Sequence, residues 1–72
     1  MKSHYAGSIS FDNHREEWQD QLVIAVDYKE FIQDMKALKK RRHNSDVFFA
    51  VFKDRDGNET DITEQVRQDV DG

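Results

Sequence analysis

The sequence predicts a small α+β domain: an antiparallel sheet in β-β-α-β-β order, one helix packed on one face, and an optional short C-terminal helix. Three observations carry this. Two short stretches, 8–12 and 18–26, alternate polar and apolar residues. A single stripe of apolar residues at helical spacing runs from Tyr28 to Leu38. An unbroken apolar run, Val47 to Phe52, is followed by a hairpin turn at Arg55-Asp56-Gly57.

Within Ser8-Ile9-Ser10-Phe11-Asp12 the period of two puts Ile9 and Phe11 on one face of a strand. Asn13 to Glu17 reads as a polar loop. From Trp18 to Val26 the even positions Trp18, Leu22, Ile24 and Val26 are apolar, which predicts a second strand, antiparallel to the first. The loop holds no diagnostic turn dipeptide, so the register stays open.

Asp27 and Glu30 stand as N-cap and N3, the spacing of a capping box, and Val26 and Phe31 fall at the positions of a hydrophobic staple. A helix therefore starts at Asp27, with Tyr28, Phe31, Ile32, Met35 and Leu38 on its apolar side. Beyond Leu38 the stripe runs into Lys39 and Arg42, so contact with the core is expected to end there. Asn44 is a candidate C-terminal stop, because asparagine tolerates the left-handed conformation.

Val47 to Phe52 is apolar at every position, which predicts a central strand covered on both faces. By alternation, Phe48, Ala50 and Phe52 point one way and Val47, Phe49 and Val51 the other. A three-residue loop with a left-handed Gly57 pairs Lys53 with Glu59 and Ala50 with Ile62. A two-residue loop would instead oppose Asp54 and Glu59, a like-charge pair. Thr63 is expected to cap a C-terminal turn from Glu64 to about Asp69, with Val66 and Val70 on one side. All this makes one domain, residues 1–72, with an ordered core over about 7–66 and soft ends.

Composition narrows the function classes. The chain has 72 residues, no cysteine, and equal shares, 36% each, of hydrophobic and charged residues. Disulfides and cysteine-based metal centres are excluded, and no apolar stretch is long enough to cross a bilayer. The default expectation is a cytoplasmic protein that does not engage membranes. His4, His14 and His43 lie in three separate segments without the spacing of a metal site. Asp54-x-Asp56-x-Asn58 matches the first three ligand positions of a calcium loop, but Glu59 and Gln65 stand where that loop needs glycine and a bidentate glutamate. No nucleophile motif or phosphate-binding glycine loop is present. The expectation is a non-enzyme, with no metal, no cofactor and no small-molecule substrate.

Two surfaces and one charge pattern remain as candidates for binding. Net charge is −4 overall, yet Lys39 to Arg42 contributes +4. Lys39, Lys40, Arg41, Arg42 and His43 can neutralise phosphates of a nucleic acid. They equally complement the negative end of a helix dipole. The second surface follows from counting faces: one helix covers one side of a small sheet, yet the third strand is apolar on both, and Val23 and Ala25 add apolar area to the weaker face of the second strand. Val47, Phe48, Phe49, Val51 and Phe52 are thus candidate partner-binding residues, for another protein or a second copy, unless Val66 and Val70 fold back as a lid. Third, carboxylates on the two hairpins, Asp12, Glu16, Glu17 and Asp20 on one and Asp54, Asp56, Glu59 and Asp61 on the other, form a pattern that can imitate a nucleic-acid backbone.

Gly7 to Asn13 resembles the opening strand of a small phage inhibitor of bacterial RNA polymerase. The likeness spans those seven residues, and no residue role follows from it. The functional expectation is a non-enzymatic interaction module, a small regulator or inhibitor of another protein. The alternatives are a nucleic-acid-binding accessory protein and an acidic mimic of nucleic acid.

Overall fold

The computed structural model describes residues 2–12, 17–42 and 44–72. The elements run β1 (His4–Asp12), β2 (Trp18–Ala25), α1 (Tyr28–Arg41), β3 (Asp46–Lys53), β4 (Glu59–Asp61) and α2 (Thr63–Asp71). The four strands form one antiparallel sheet in the spatial order β2-β1-β3-β4. The class is the small α+β fold that the sequence predicts.

β1 begins at His4, earlier than the alternation suggests, because its inward positions are Tyr5, Gly7, Ile9 and Phe11 and the glycine hides the period. Gly7 is required by its surroundings. A Cβ there would meet the Phe49 carbonyl oxygen at 2.6 Å and the tips of Met35 and Phe31 at 3.1 Å. The missing side chain lets α1 lie flush on the sheet.

α1 starts where its cap predicts. The Asp27 carboxylate accepts a hydrogen bond from the Lys29 amide at 3.3 Å, and Glu30 places negative charge in the first turn. Phe31 and Met35 are fully buried against the sheet, and Leu38 is the last core contact on the helix. The helix stops at Arg41, the chain reverses through Asn44 at φ 50°, and the Ser45 hydroxyl donates to the Lys39 carbonyl at 2.8 Å.

The second hairpin has the register read from its residues. Lys53 faces Glu59 and forms an ion pair at 3.2 Å, Gly57 sits at φ 87°, and the Ile62 amide donates to the Ala50 carbonyl at 2.9 Å. The C-terminal segment differs from expectation. α2 is longer, and Thr63 is its first residue, not its cap. The Asp61 carboxylate accepts from both the amide and the hydroxyl of Thr63, while that hydroxyl accepts from the Ala50 amide at 3.1 Å. This stitches the start of α2 to β3.

α2 does not fold back over the free side of the sheet. Val66 and Val70 join Phe31, Met35, Leu38, Ile9, Val47 and Ala50 in a single buried cluster, so both helices cover the same face. The reason is geometric: the chain leaves β4 at the sheet edge beside β3, and the shortest apolar surface available to Val66 is that of Val47 and Ala50.

Candidate functional site

Because the helices share one face, the other face is uncovered, and its residues follow from the register. Across the sheet, Ile24, Ala6, Val51 and Asp61 make one row. Leu22, Ser8 and Phe49 make the next, and Asp20, Ser10 and Asp46 the one after. Trp18 and Asp12 end the face. Small side chains on β1 are flanked on both sides by larger ones on β2 and β3. Trp18 is 67% exposed, Leu22 59%, Ile24 and Phe48 58%, and Phe49 37%. Leu22, Ile24, Phe48 and Phe49 make the larger apolar area, and Trp18 stands beyond it across the Asp20-Ser10-Asp46 row.

The even positions of β2 therefore face away from the helices, although they are the bulkier set. Ala25, with Val23 half-buried beside it, lies under α1 instead. The flat side of the sheet, floored by Gly7 and Ala25, is the one that admits Phe31 and Met35 at close range. Bulk on β2 decides against the helix.

Strict alternation also fails in β3. Ser8 pairs with Phe49 and Ile9 with Val47, so Phe48 is an extra residue in a bulge. Val47 and Ala50 consequently point inward and are buried, and Phe52 packs inward against the Tyr5 ring at 5.0 Å. Phe48 and Phe49 both reach the open face, their rings edge to face at 5.9 Å. Arg67 of α2 donates to the Val47 carbonyl beside the bulge, through Nη2 at 3.0 Å and Nε at 3.3 Å. Of the five candidate partner-binding residues, Phe48, Phe49 and Val51 lie on the open face and Val47 and Phe52 belong to the core side. Trp18, Leu22 and Ile24 complete the surface. Their exposure was hidden in the sequence because an apolar alternation does not say which side it faces.

At the floor of the open face Ser8 is only 4% exposed, covered by its neighbours Leu22 and Phe49, and its hydroxyl has no hydrogen-bond partner among the described residues.

The basic run divides by its contacts in the fold. Lys39 is ion-paired with Asp71 of α2. The Arg42 guanidinium lies 4.5 Å over the Phe11 ring and donates to the Gln21 side chain at 3.2 Å, which extends core contact past Leu38. Lys40 and Arg41 are exposed, and His43 lies outside the described residues. Two of the four cations thus make contacts within the fold.

The acidic residues are similarly dispersed. Asp12 and Asp20 sit at one end of the sheet, while Asp54, Asp56 and Glu59 sit at the other, about 26 Å away along a nine-residue strand. Glu16 lies outside the described residues, and Glu17 is exposed beside β2. Asp20 accepts from the Ser10 hydroxyl at 2.7 Å. Asp54 holds the turn: the Asn58 amide, with that of Asp56, keeps its carboxyl below the usual aspartate range. This turn role accounts for the calcium-like letters. Asp61 is lowered likewise by the Thr63 hydroxyl and amide. The two hairpin groups of carboxylates thus lie at opposite ends of the sheet.

Between the helices, burial pushes the Tyr28 hydroxyl up to about 12, helped by its hydrogen bond to Asp69. That bond and one from Gln65 lower Asp69 in turn. The groove here is lined by Tyr28, Lys29, Ile32, Gln33, Lys36 and Asp69. Among the described residues no group of three or more His, Cys, Asp or Glu is placed to hold a metal ion, and no helix is long and apolar enough to cross a membrane. Comparison with protein-family models, curated proteins and solved structures finds no match to this chain.

Proposed function

We propose that the chain is a non-enzymatic protein-interaction module, a small regulator or inhibitor, whose docking surface is the open face of the sheet. One observation carries this reading: Trp18, Leu22, Ile24, Phe48 and Phe49 are exposed together while both helices occupy the opposite face. Exposed aromatics grouped around aliphatic residues are the composition of an interface centre, where charged residues are depleted. The carboxylates Asp12, Asp20 and Asp46 border this centre at one end and Asp61 borders it at the β4 edge.

The test compares the wild-type chain with Leu22→Asp and Phe48→Asp as immobilised bait, after circular dichroism confirms that each is folded. The expected result is strong binding of a hydrophobic dye by the wild type, and a protein ligand retained by it and released by either variant. A dye-silent wild type whose captured proteins do not change with either substitution overturns the reading.

A further inference from the structure

We propose that the open face is closed by a second copy of this chain, the two sheets packing face to face about a two-fold axis that runs across the strands, with the helices outermost. This rests on the docking reading above and names its occupant. Two observations lead to it, area and charge.

The first is area. At the exposures given above, the five large side chains leave roughly 500–600 Å² of accessible apolar surface on each copy. With Ala6 and Val51 added, complete coverage of both faces would bury at most on the order of 1,200 Å², the lower end of a stable specific interface. Sheets stacked this way lie about 10 Å apart, a distance that the side chains of Leu22, Phe48 and Phe49 fill from both sides.

Charge then sets the axis. On β2, β1 and β3 the central positions Ile24, Ala6, Val51, Leu22, Ser8 and Phe49 carry no ionisable group, and Asp61 closes one of these rows at the β4 edge, so two acidic chains can meet over these three strands without opposing carboxylates. Asp12, Asp20 and Asp46 all lie at one end. An axis along the strands would stack six carboxylates against one another. An axis across the strands through the Leu22-Ser8-Phe49 row sets the two Asp12 positions about 26 Å apart and the Asp20 and Asp46 positions about 13 Å from their counterparts, and it places each acidic end beside the end of the other copy that holds His4 and the Lys53–Glu59 ion pair. Both separations exceed the Debye length of about 8 Å at physiological salt.

Sedimentation equilibrium from low-micromolar to sub-millimolar concentration tests the occupant, and the absence of cysteine from the chain makes single-cysteine variants clean probes of the axis. The expected result is a monomer–dimer equilibrium, with Leu22→Asp and Phe48→Asp both folded and monomeric at every concentration. A short bis-maleimide should join Leu22→Cys to itself, and neither Asp12→Cys nor Gln33→Cys on the helical side. Dimers that survive both aspartate variants, or cross-linking of Asp12→Cys in place of Leu22→Cys, overturn the arrangement. A wild type that stays monomeric overturns the second copy. If that monomer still binds dye and retains a foreign protein through Leu22 and Phe48, the docking reading survives; if it does neither, both fall.

Discussion

The two faces of this sheet are built from similar amounts of apolar side chain and have opposite fates. The covered face is shaped for contact: Gly7 and Ala25 make a flat floor, and Phe31, Met35 and Val66 are completely buried on it, with Val70 buried beside them. The open face is the rougher one, with Leu22 and Ile24 on one side of β1 and Phe48 and Phe49 on the other. Hydrophobicity alone does not choose the face on which a helix settles. Close approach does, and a glycine opposite two large side chains contributes more to that choice than a row of bulky residues.

The largest expected difference between the faces is in stability. Phe31→Ala should cost about 3–5 kcal/mol, the range for a fully buried aromatic. Phe48→Ala, with its ring more than half exposed, should change stability by no more than about 0.5 kcal/mol at concentrations where the chain is monomeric. Urea denaturation of the two variants measures both. Similar losses would mean that the open face is held by contacts within the chain.

Much of this contrast was legible in the sequence, and the part that was not has a physical reason. Asp27, the Tyr28–Leu38 stripe and Gly57 each demand a local conformation, so α1 and the second hairpin could be placed from letters alone. Lys53 and Glu59 even selected the loop length. The bulge at Phe48 could not be read, because every residue from Val47 to Phe52 is apolar and an extra residue leaves no mark in such a run. The direction of β2 was equally hidden, since both its faces carry apolar residues and the arbiter, Gly7, sits on a neighbouring strand. Of the residues read from the third strand, Phe48, Phe49 and Val51 lie on the uncovered side of the sheet and Val47 and Phe52 on the core side, while Trp18, Leu22 and Ile24 join the uncovered side from β2.

Gly7→Ala sharpens the argument about close approach. The new methyl group would overlap the Phe49 carbonyl, which is backbone and cannot swing aside, and crowd Met35 and Phe31. A loss of about 1–3 kcal/mol is expected, as for other overpacked sites. Ala6→Val, the neighbouring position on the open face, should stay within about 0.5 kcal/mol in the monomer. Equal tolerance at the two positions would remove the glycine from the explanation of which face is covered.

On the covered side, the contact between α1 and α2 is titratable. The Tyr28 hydroxyl is raised from 10.0 to about 12, so the stabilisation it provides is fully present below pH 10 and is lost as pH rises toward 12. Asp69 is lowered by the same bond, and its contribution is present above the ordinary aspartate range and lost as pH falls through its depressed value. Tyr28→Phe should flatten the alkaline arm of the melting-temperature profile and cost about 0.5–1.5 kcal/mol at neutral pH. An alkaline arm that is unchanged in Tyr28→Phe would show that another group controls it.

The basic run divides along the same boundary between contact and exposure. Arg42→Gln removes a guanidinium from the Phe11 ring and should cost about 0.5–1 kcal/mol. Lys40→Gln and Arg41→Gln, both exposed, should each change stability by less than about 0.5 kcal/mol. If all four cations from Lys39 to Arg42 prove equivalent in thermal melts, their positions in the fold do not separate them, and a shared role in binding polyanions regains weight.

Ser8 gives the most pointed test, because it lies on the open face yet is buried. Its hydroxyl is shielded by Leu22 and Phe49 and finds no partner among the described residues, so it has lost water and gained nothing. Ser8→Ala keeps the size and removes the unsatisfied group. In the isolated chain the substitution should be neutral or stabilise by up to about 1 kcal/mol, which chemical denaturation at low concentration resolves. Binding through the open face then reads the same atom from the other side. A surface closed by apolar groups alone leaves the hydroxyl unsatisfied, so Ser8→Ala should bind at least as tightly as the wild type. A partner that reaches the floor of the face with a hydrogen-bonding group would make the alanine variant bind more weakly. Since the neighbours that cover Ser8 are themselves Leu22 and Phe49, unweakened binding is the expected outcome, and a clear loss would mean that the face recognises a polar group at its centre.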